Sequence, residues 1–421
     1  QCGTDLTVGA SGDTITFPSG TTIVNNGTQT GFGRTGTVDW DTTAKTASFT
    51  AVSGNGYFVN TTSGAITVTL PAGNAGDIVG ISDYASTFQT NNVTIAPNGS
   101  DNINGVNENA TLSTQGLAVS LVYVDATRGW KSVTGSDNDT TGVTPPAFIT
   151  ATGGTITCCG DYKIHTFTGP GTFCVSCGGN PTGSDIVDYL VVAGGGSANE
   201  EFAAGGAGGY RESSGAASGC YSASPLGAGV PALPVTVTGY PVTVGAGGTS
   251  PTPTSGSNSI FSTITSAGGG NGTTAAGTAG GSGAGGAAEP APQNAKGAGN
   301  TPPVSPSQGF PGGDGANCGG NASRGGGGGG GATAAGTNGT PSSGGNGGAG
   351  ATSSINGTPT ARAGGGGAGP GGTGGAGGGG NASGGSGTAN TGGGGASWGR
   401  PVGGAAGAGG SGIVIIRYKF Q

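Results

Sequence analysis

Few side chains in this sequence could do chemistry, and cysteine comes first among them. The 421 residues hold seven cysteines and one histidine. Cys158 and Cys159 are adjacent, and Cys174 and Cys177 follow about fifteen residues on as CVSC. Cys220 and Cys318 sit in glycine-rich surroundings, and Cys2 stands apart. In a β-rich extracellular protein such residues read as disulfide partners. Folded back as adjacent strands, the CC and CVSC segments would allow one or two bridges. Cys158 and Cys159 would take different partners, because neighbouring residues on a strand face opposite ways. Cys220 and Cys318 would staple two parts of the glycine-rich half, leaving Cys2 to bridge chains. The rival reading is a four-thiolate zinc site, but adjacent ligands fit a tetrahedral centre poorly. No metal and no cofactor are expected.

Catalytic chemistry finds little support. His165 alternates with Ile164 in an expected strand and reads as structural rather than as a general base. No His–Ser–Asp or Cys–His arrangement can be placed, and no two carboxylates suggest an acid/base pair, so no enzyme is expected. The stretch NGSDNINGVNEN (98–109) carries oxygens at alternate positions, as a calcium loop does. It lacks the terminal Glu and the flanking helices, and reads as an Asn/Asp turn. Binding at a surface asks for rigid amphipathic anchors among small polar groups. In the glycine-rich half the scarce anchors are Phe202, Tyr210, Phe310, Trp398 and Arg400. Of these, Tyr210, Phe310, Trp398 and Arg400 are the contact candidates. Trp398 could equally cap the base of its domain.

Composition sets the frame for these residues. Lys and Arg total 12 against 19 Asp and Glu, and only 7% of residues are charged. Such a chain cannot build a phosphate-tracking stripe, so nucleic-acid binding is not expected. No apolar run approaches a membrane span. There is no Met, and residue 1 is Gln; a mature or partial form is expected, with any targeting segment out of view.

The elements that must position the candidates are strands. AITVTLP (65–71) alternates apolar and polar residues, and DIVGI, NVTIAP and LAVSLVYVD follow between Asn/Gly/Ser turns. Almost no α-helix is expected. Residues 1–55 read as an N-terminal β, attachment or shaft segment and 56–134 as a small all-β module, sandwich or prism-like. Residues 135–146 read as a linker and 147–193 as a β unit holding the cysteine cluster. Residues 194–421 form a glycine-rich region closed by the strand at 411–420. That region is bracketed by DYLVVAGGG and SGIVIIRYKF, two strongly apolar strands. Pairing them with each other or with their neighbours would gather the ends of the glycine tract at one base.

Most of the 104 glycines lie between these strands, including seven in a row at 325–331. Glycine loses the most entropy on ordering, which favours a disordered spacer. The other reading is packed polyproline II, in which three residues per turn and inward-facing glycine let several chains lie side by side. The collagen Gly-X-Y period is missing. From the residues alone both readings stand.

A resemblance separates them. The segments 9–33 and 56–133 are similar to modules of tail-fibre proteins from marine tailed phages. TITCCGDYKIHTFTGPGTF, DYLVVAGGG, YPVTVGAGG and GGSGIVIIRY resemble the glycine-rich adhesin domains at the tips of such fibres. The resemblance implies all-β modules followed by a glycine-rich domain of packed polyproline II helices, whose distal loops bind a host surface receptor, protein or glycan. It also implies a virion location outside the cell, other tail or fibre proteins as partners, and a homotrimer, with no membrane insertion. The family usually has Thr or Ser where this chain has Cys158, Cys159, Cys174 and Cys177. The alternative is a subunit of a secreted or cell-surface filament with no receptor role.

Overall fold

A computed structural model describes residues 38–134, 146–200, 202–219, 221–288, 295–317, 324–399 and 404–421, together with Thr14 and Thr16. The chain divides into two compact units, Gln1–Thr144 and Pro145–Gln421. The described residues hold no α-helix, and one 3-10 turn spans Pro225–Gly227.

In the first unit, short alternating segments coil into rungs. β1 (Asp39–Lys45), β2 (Phe49–Thr50), β3 (Asn55–Val59), β4 (Ile66–Thr69), β5 (Ile78–Asp83) and β6 (Val93–Ala96) fall alternately into two sheets. β1, β3 and β5 pair in parallel on one side, and β2, β4 and β6 in parallel on the other. β7 (Ala110–Leu112), β8 (Ala118–Tyr123) and β9 (Trp130–Ser132) close the coil by antiparallel pairing onto β6, β5 and β8. The period-two pattern of AITVTL is realised: Ile66, Val68 and Leu70 point into the core, while Thr67 and Thr69 are half-buried. Residues 39–50, placed by the sequence reading in a segment ending at 55, supply the first rung. The Asn/Asp stretch folds as turns, in which the Asp101 carboxylate accepts from the Gly73 N–H at 2.9 Å and the Asn102 amide donates to the Ala126 and Thr127 carbonyls.

The second unit stands on two stacked sheets. β10 (Ile149–Thr152), β11 (Thr155–Cys159), β12 (Tyr162–Phe167), β13 (Gly171–Gly178), β14 (Ile186–Val192) and β15 (Tyr210–Glu212) open it. β16 (Leu233–Pro234), β17 (Gly239–Thr243), β18 (Ser259–Phe261) and β19 (Ile264–Ser266) continue, with β20 (Ala316–Asn317), β21 (Arg324–Gly325), β22 (Ala351–Ser353) and β23 (Thr360–Arg362) as two small hairpins. β24 (Ile413–Lys419) ends the unit. One sheet has the order β10-β13-β17-β18-β19. The other, which we call the base sheet, has the order β11-β12-β24-β14-β15. Phe173, Val175, Phe261, Val414, Ile416 and Tyr418 pack between the two. The far face of the base sheet carries Ile164, Leu190, Val192, Tyr210, Ile413 and Ile415, covered by Ala332, Ala351, Ile355 and Ala363.

The bracketing strands do pair. β14 and β24 run antiparallel with Val192 opposite Ile413, so the glycine tract leaves and returns at one edge of the base sheet. Between them the chain makes a series of extended runs whose hydrogen bonds link distant segments rather than strand neighbours. In the seven-glycine stretch, the Gly326 and Gly329 N–H groups donate to the carbonyls of Gly369 and Gly366. Those of Gly327 and Gly330 donate to Gly286 and Gly283, and those of Gly328 and Gly331 to Thr337 and Ala334. The run 194–199 repeats the pattern. Gly194 and Ser197 bond 257 and 254, Gly195 and Ala198 bond 410 and 407, and Gly196 and Asn199 bond 206 and 203. Each donor shares its partner segment with the donor three residues on, which is the period of a helix with three residues per turn.

This packing explains the glycine. A Cβ built on Gly329 would meet the Gly205 carbonyl oxygen, and one on Gly328 the Asn346 carbonyl oxygen, both well under 3.0 Å. The obstacle is backbone that is itself hydrogen-bonded, so it cannot step aside. Gly169, in the β12–β13 turn, has nothing within 4 Å of such a Cβ. Gly329→Ala should therefore lower unfolding stability by about 1–3 kcal/mol or more, while Gly169→Ala stays within about 0.5 kcal/mol. Thermal or denaturant unfolding of the two variants checks this, and equal effects would mean the runs are not close-packed.

Candidate functional site

Strand direction fixes which loops lie away from the base sheet. Run 193–199 leaves β14 and run 203–209 returns to β15, so Glu200 and Phe202 are distal. By the same tracing the turns at 249–253, 273–276, 340–343 and 370–371, and Trp398, lie at the distal end. The turns at 301–308, 332–333 and 354–359 lie beside the sheet. The distal turns at 249–253, 273–276, 340–343 and 370–371 are built from Thr, Ser, Ala, Pro and Gly, whereas Glu200 is an exposed acidic residue at the same end. The Thr249 N–H donates to Thr254 Oγ1 at 2.9 Å, and Ser250 Oγ donates to the Ala406 carbonyl at 2.6 Å. Thr273 Oγ1 donates to the Ala276 carbonyl at 2.7 Å, and the Thr340 N–H to the Ser343 carbonyl at 2.8 Å. Between Gly325 and Gly399 the one charged residue is Arg362, which is buried on the sheet side. The turns at 340–343 and 370–371 are thus uncharged and held in shape.

The structure separates the contact candidates. Trp398 lies at the distal end, half-buried, with its indole filling the space over Gly384 and Gly404. Phe310 is 36% exposed but belongs to the sheet-proximal end, because its N–H bonds the Gly331 carbonyl and the nearby Gln308 carbonyl accepts from the Tyr210 N–H. Tyr210 is corrected outright. It opens β15 at 1% exposure, and its hydroxyl donates to Glu212 Oε2 at 2.9 Å, so it cannot meet a receptor. Phe202 is likewise buried. Arg400, Cys220, Cys318 and Cys2 lie outside the described residues.

The expected cysteine bridges are also corrected. Cys158, Cys159, Cys174 and Cys177 are free and exposed. The turn at Gly160-Asp161 folds β12 back against β11, so Cys158 and Cys159 stand opposite Lys163 and Tyr162 at the edge of the base sheet. Cys174 and Cys177 belong to β13, in the other sheet, paired with β10. The two segments are never adjacent strands. Among the described residues no group of three or more His, Cys, Asp or Glu side chains is placed to hold a metal.

Sequence reasoning missed a buried polar network beside the base sheet. Asp188, fully buried, accepts from Ser213 Oγ (2.7 Å), Ser218 Oγ (2.6 Å) and the Gly215 N–H (3.2 Å). Glu212 accepts from the Tyr210 hydroxyl, the Ser224 N–H and Ser353 Oγ. Burial raises the Glu212 pKa above the usual carboxylate value, against the pull of these donors. Arg417 stacks between Tyr162 and Tyr221 and donates to the Ile355 carbonyl at 3.3 Å. This network ties the loops at 213–224 and 353–357 to the sheet. Its sequence signal was faint: one carboxylate, Asp188, inside the apolar strand β14.

The comparisons accord with this architecture. A family model described as a glycine-rich domain matches residues 168–419, and the chain belongs to that family. No curated protein matches the chain.

His165 sits between the sheets, fully buried, with Phe173 edge-on at 5.0 Å. A neutral ring donating from Nδ1 to the Gly153 carbonyl (2.7 Å) and accepting at Nε2 from the Tyr418 hydroxyl (3.1 Å) satisfies both contacts. Burial lowers its pKa below 6.5. As pH falls below that value the unfolded chain takes up a proton that the folded one refuses, so stability is lost. The raised pKa of Glu212 acts in the opposite sense, costing stability as pH rises above 4.5. His165→Gln should therefore lose less stability than the parent chain between pH 7 and pH 5, measured as the shift in urea midpoint. An equal or larger loss would contradict the neutral, buried assignment.

Proposed function

We propose that this chain is a structural virion fibre protein whose glycine-rich domain is an adhesive tip for host-cell attachment. The observation that carries the reading is the distal rim: turns pinned by their own hydroxyls, held on a backbone-bonded framework that leaves little freedom to lose on binding. The three-residue period of the hydrogen bonds supports polyproline II as the conformation of the runs. The resemblance of the β modules and of the glycine-rich segments to marine phage tail-fibre sequences supports the virion setting. In this reading the partners are a host receptor, protein or glycan, and other tail or fibre proteins. The chain acts as a homotrimer outside the cell. The uncharged turns at 249–253, 273–276, 340–343 and 370–371 favour contacts made through hydroxyls and apolar groups.

The test is competition. Purified chain, added in excess to host cells, should block adsorption of the particle that carries it. Trp398→Ala should raise the concentration needed for half-inhibition at least about ten-fold, as expected for a buried aromatic anchor. A second variant exchanging Thr340–Ser343 for another short polar turn should do likewise with unchanged unfolding behaviour, guarding against a folding defect. Adsorption unaffected by the chain, together with its growth into an indefinitely repeating polymer, would make it a filament subunit instead.

A further inference from the structure

Cys174 and Cys177 are three residues apart on β13, a spacing that on a regular strand puts side chains on opposite faces about 10 Å apart. Here the register slips. Thr152 pairs with Cys174 and Ala151 with Val175, but Thr150 pairs with Cys177, so Ser176 is an extra residue in a bulge. Ser176 Oγ donates to the Thr150 carbonyl at 3.2 Å and pins it. Val175 and Ala151 point into the core, whereas Cys174, Cys177, Thr150 and Thr152 are all exposed. The bulge therefore places both thiols on the outer face. It also compresses their separation toward the two-residue pitch of β10, roughly 6.7 Å. Gly239, opposite Cys174 on β17, adds no side chain to crowd them.

That spacing selects among the chemistries open to two thiols. A disulfide needs Cβ atoms about 3.8 Å apart, too close for parallel side chains on this pitch. Zinc needs four ligands, and among the described residues no third His, Cys, Asp or Glu completes a cluster. A two-coordinate soft cation needs sulfurs about 4.6 Å apart, taking metal–sulfur bonds of about 2.3 Å as for zinc thiolates. Two thiols leaning toward each other from one face meet this, and thiolate-only sites select Cu(I). We propose that Cys174 and Cys177 form a two-thiolate site for a soft monovalent cation of the Cu(I) class. Binding forms two metal–sulfur bonds and releases the two thiol protons, with no change of oxidation state. Cys158 and Cys159 provide an internal comparison: as neighbours on β11 they face opposite sides and cannot clamp one ion.

The full chain, reduced and kept free of oxygen, is titrated with Cu(I) supplied as its bicinchoninate complex. It is then alkylated and mapped by mass spectrometry. Cys174 and Cys177 should become protected together as one equivalent is taken up, while Cys158 and Cys159 remain alkylated. Cys174→Ser and Cys177→Ser should each lose that equivalent and expose the remaining thiol, with unchanged unfolding midpoints. Equal protection of Cys158 and Cys159, uptake that survives Cys174→Ser, a Cys174–Cys177 disulfide in the reduced chain, or no protection at all would overturn the proposal.

Discussion

The second unit depends on one close approach: backbone carbonyls of one run sit where the next run's Cβ atoms would be. A side chain there has nowhere to go, because the atom it meets is a hydrogen-bonded peptide and not a movable tip. Glycine is thus selected by distance, and left-handed backbone conformations enter at the turns. The cost is large, since ordering a residue's backbone takes about 1–2 kcal/mol and glycine has the most freedom to lose. A net hydrogen bond returns only about 0.5–1.5 kcal/mol. Isolated runs could not stand. They persist because each bonds three neighbours at once, and because both ends of the tract are fastened to an apolar strand pair.

That arrangement divides labour along the chain. β14 and β24, with the aromatic cluster between the two sheets, supply the conventional core. The buried carboxylates Asp188 and Glu212 fix the sheet-side loops through hydroxyl and amide donors. The runs then carry chain to the distal end with no core of their own. Bonds such as those of Thr273 to Ala276 and Thr340 to Ser343 are internal to their turns, so composition there can differ at little cost to the framework, whereas Ser250 ties its turn to the Ala406 carbonyl. A scaffold of this kind suits surface recognition, in which residues change while geometry is held.

Much of this was legible in the sequence. Apolar alternation marked Ile66, Val68 and Leu70, and the two bracketing strands were recognisable as strands, with pairing to each other or to neighbours left open. The glycine tract was ambiguous because its order comes from contacts between runs far apart in the chain, and composition is silent on such contacts. Tyr210 was misread because an aromatic amid glycine looks exposed, whereas β15 turns it under the sheet-side loops. Phe310 is exposed as an anchor would be, but the sequence does not tell which end of the framework its loop occupies. The cysteine pairing failed for a related reason: the Gly160-Asp161 turn spends β11 on β12, and β13 crosses to the other sheet. The bulge at Ser176 left no local mark, since it arises from register with β10.

The account stands on the seven-glycine run being a bonded element and not a spacer. Amide hydrogen exchange followed by mass spectrometry on peptides spanning 325–331 tests this directly. The interlocked hydrogen bonds require protection there comparable to that of β14 and β24, lost only in the same cooperative opening. Exchange at the rate of an unstructured chain, with the two strands still protected, would contradict it.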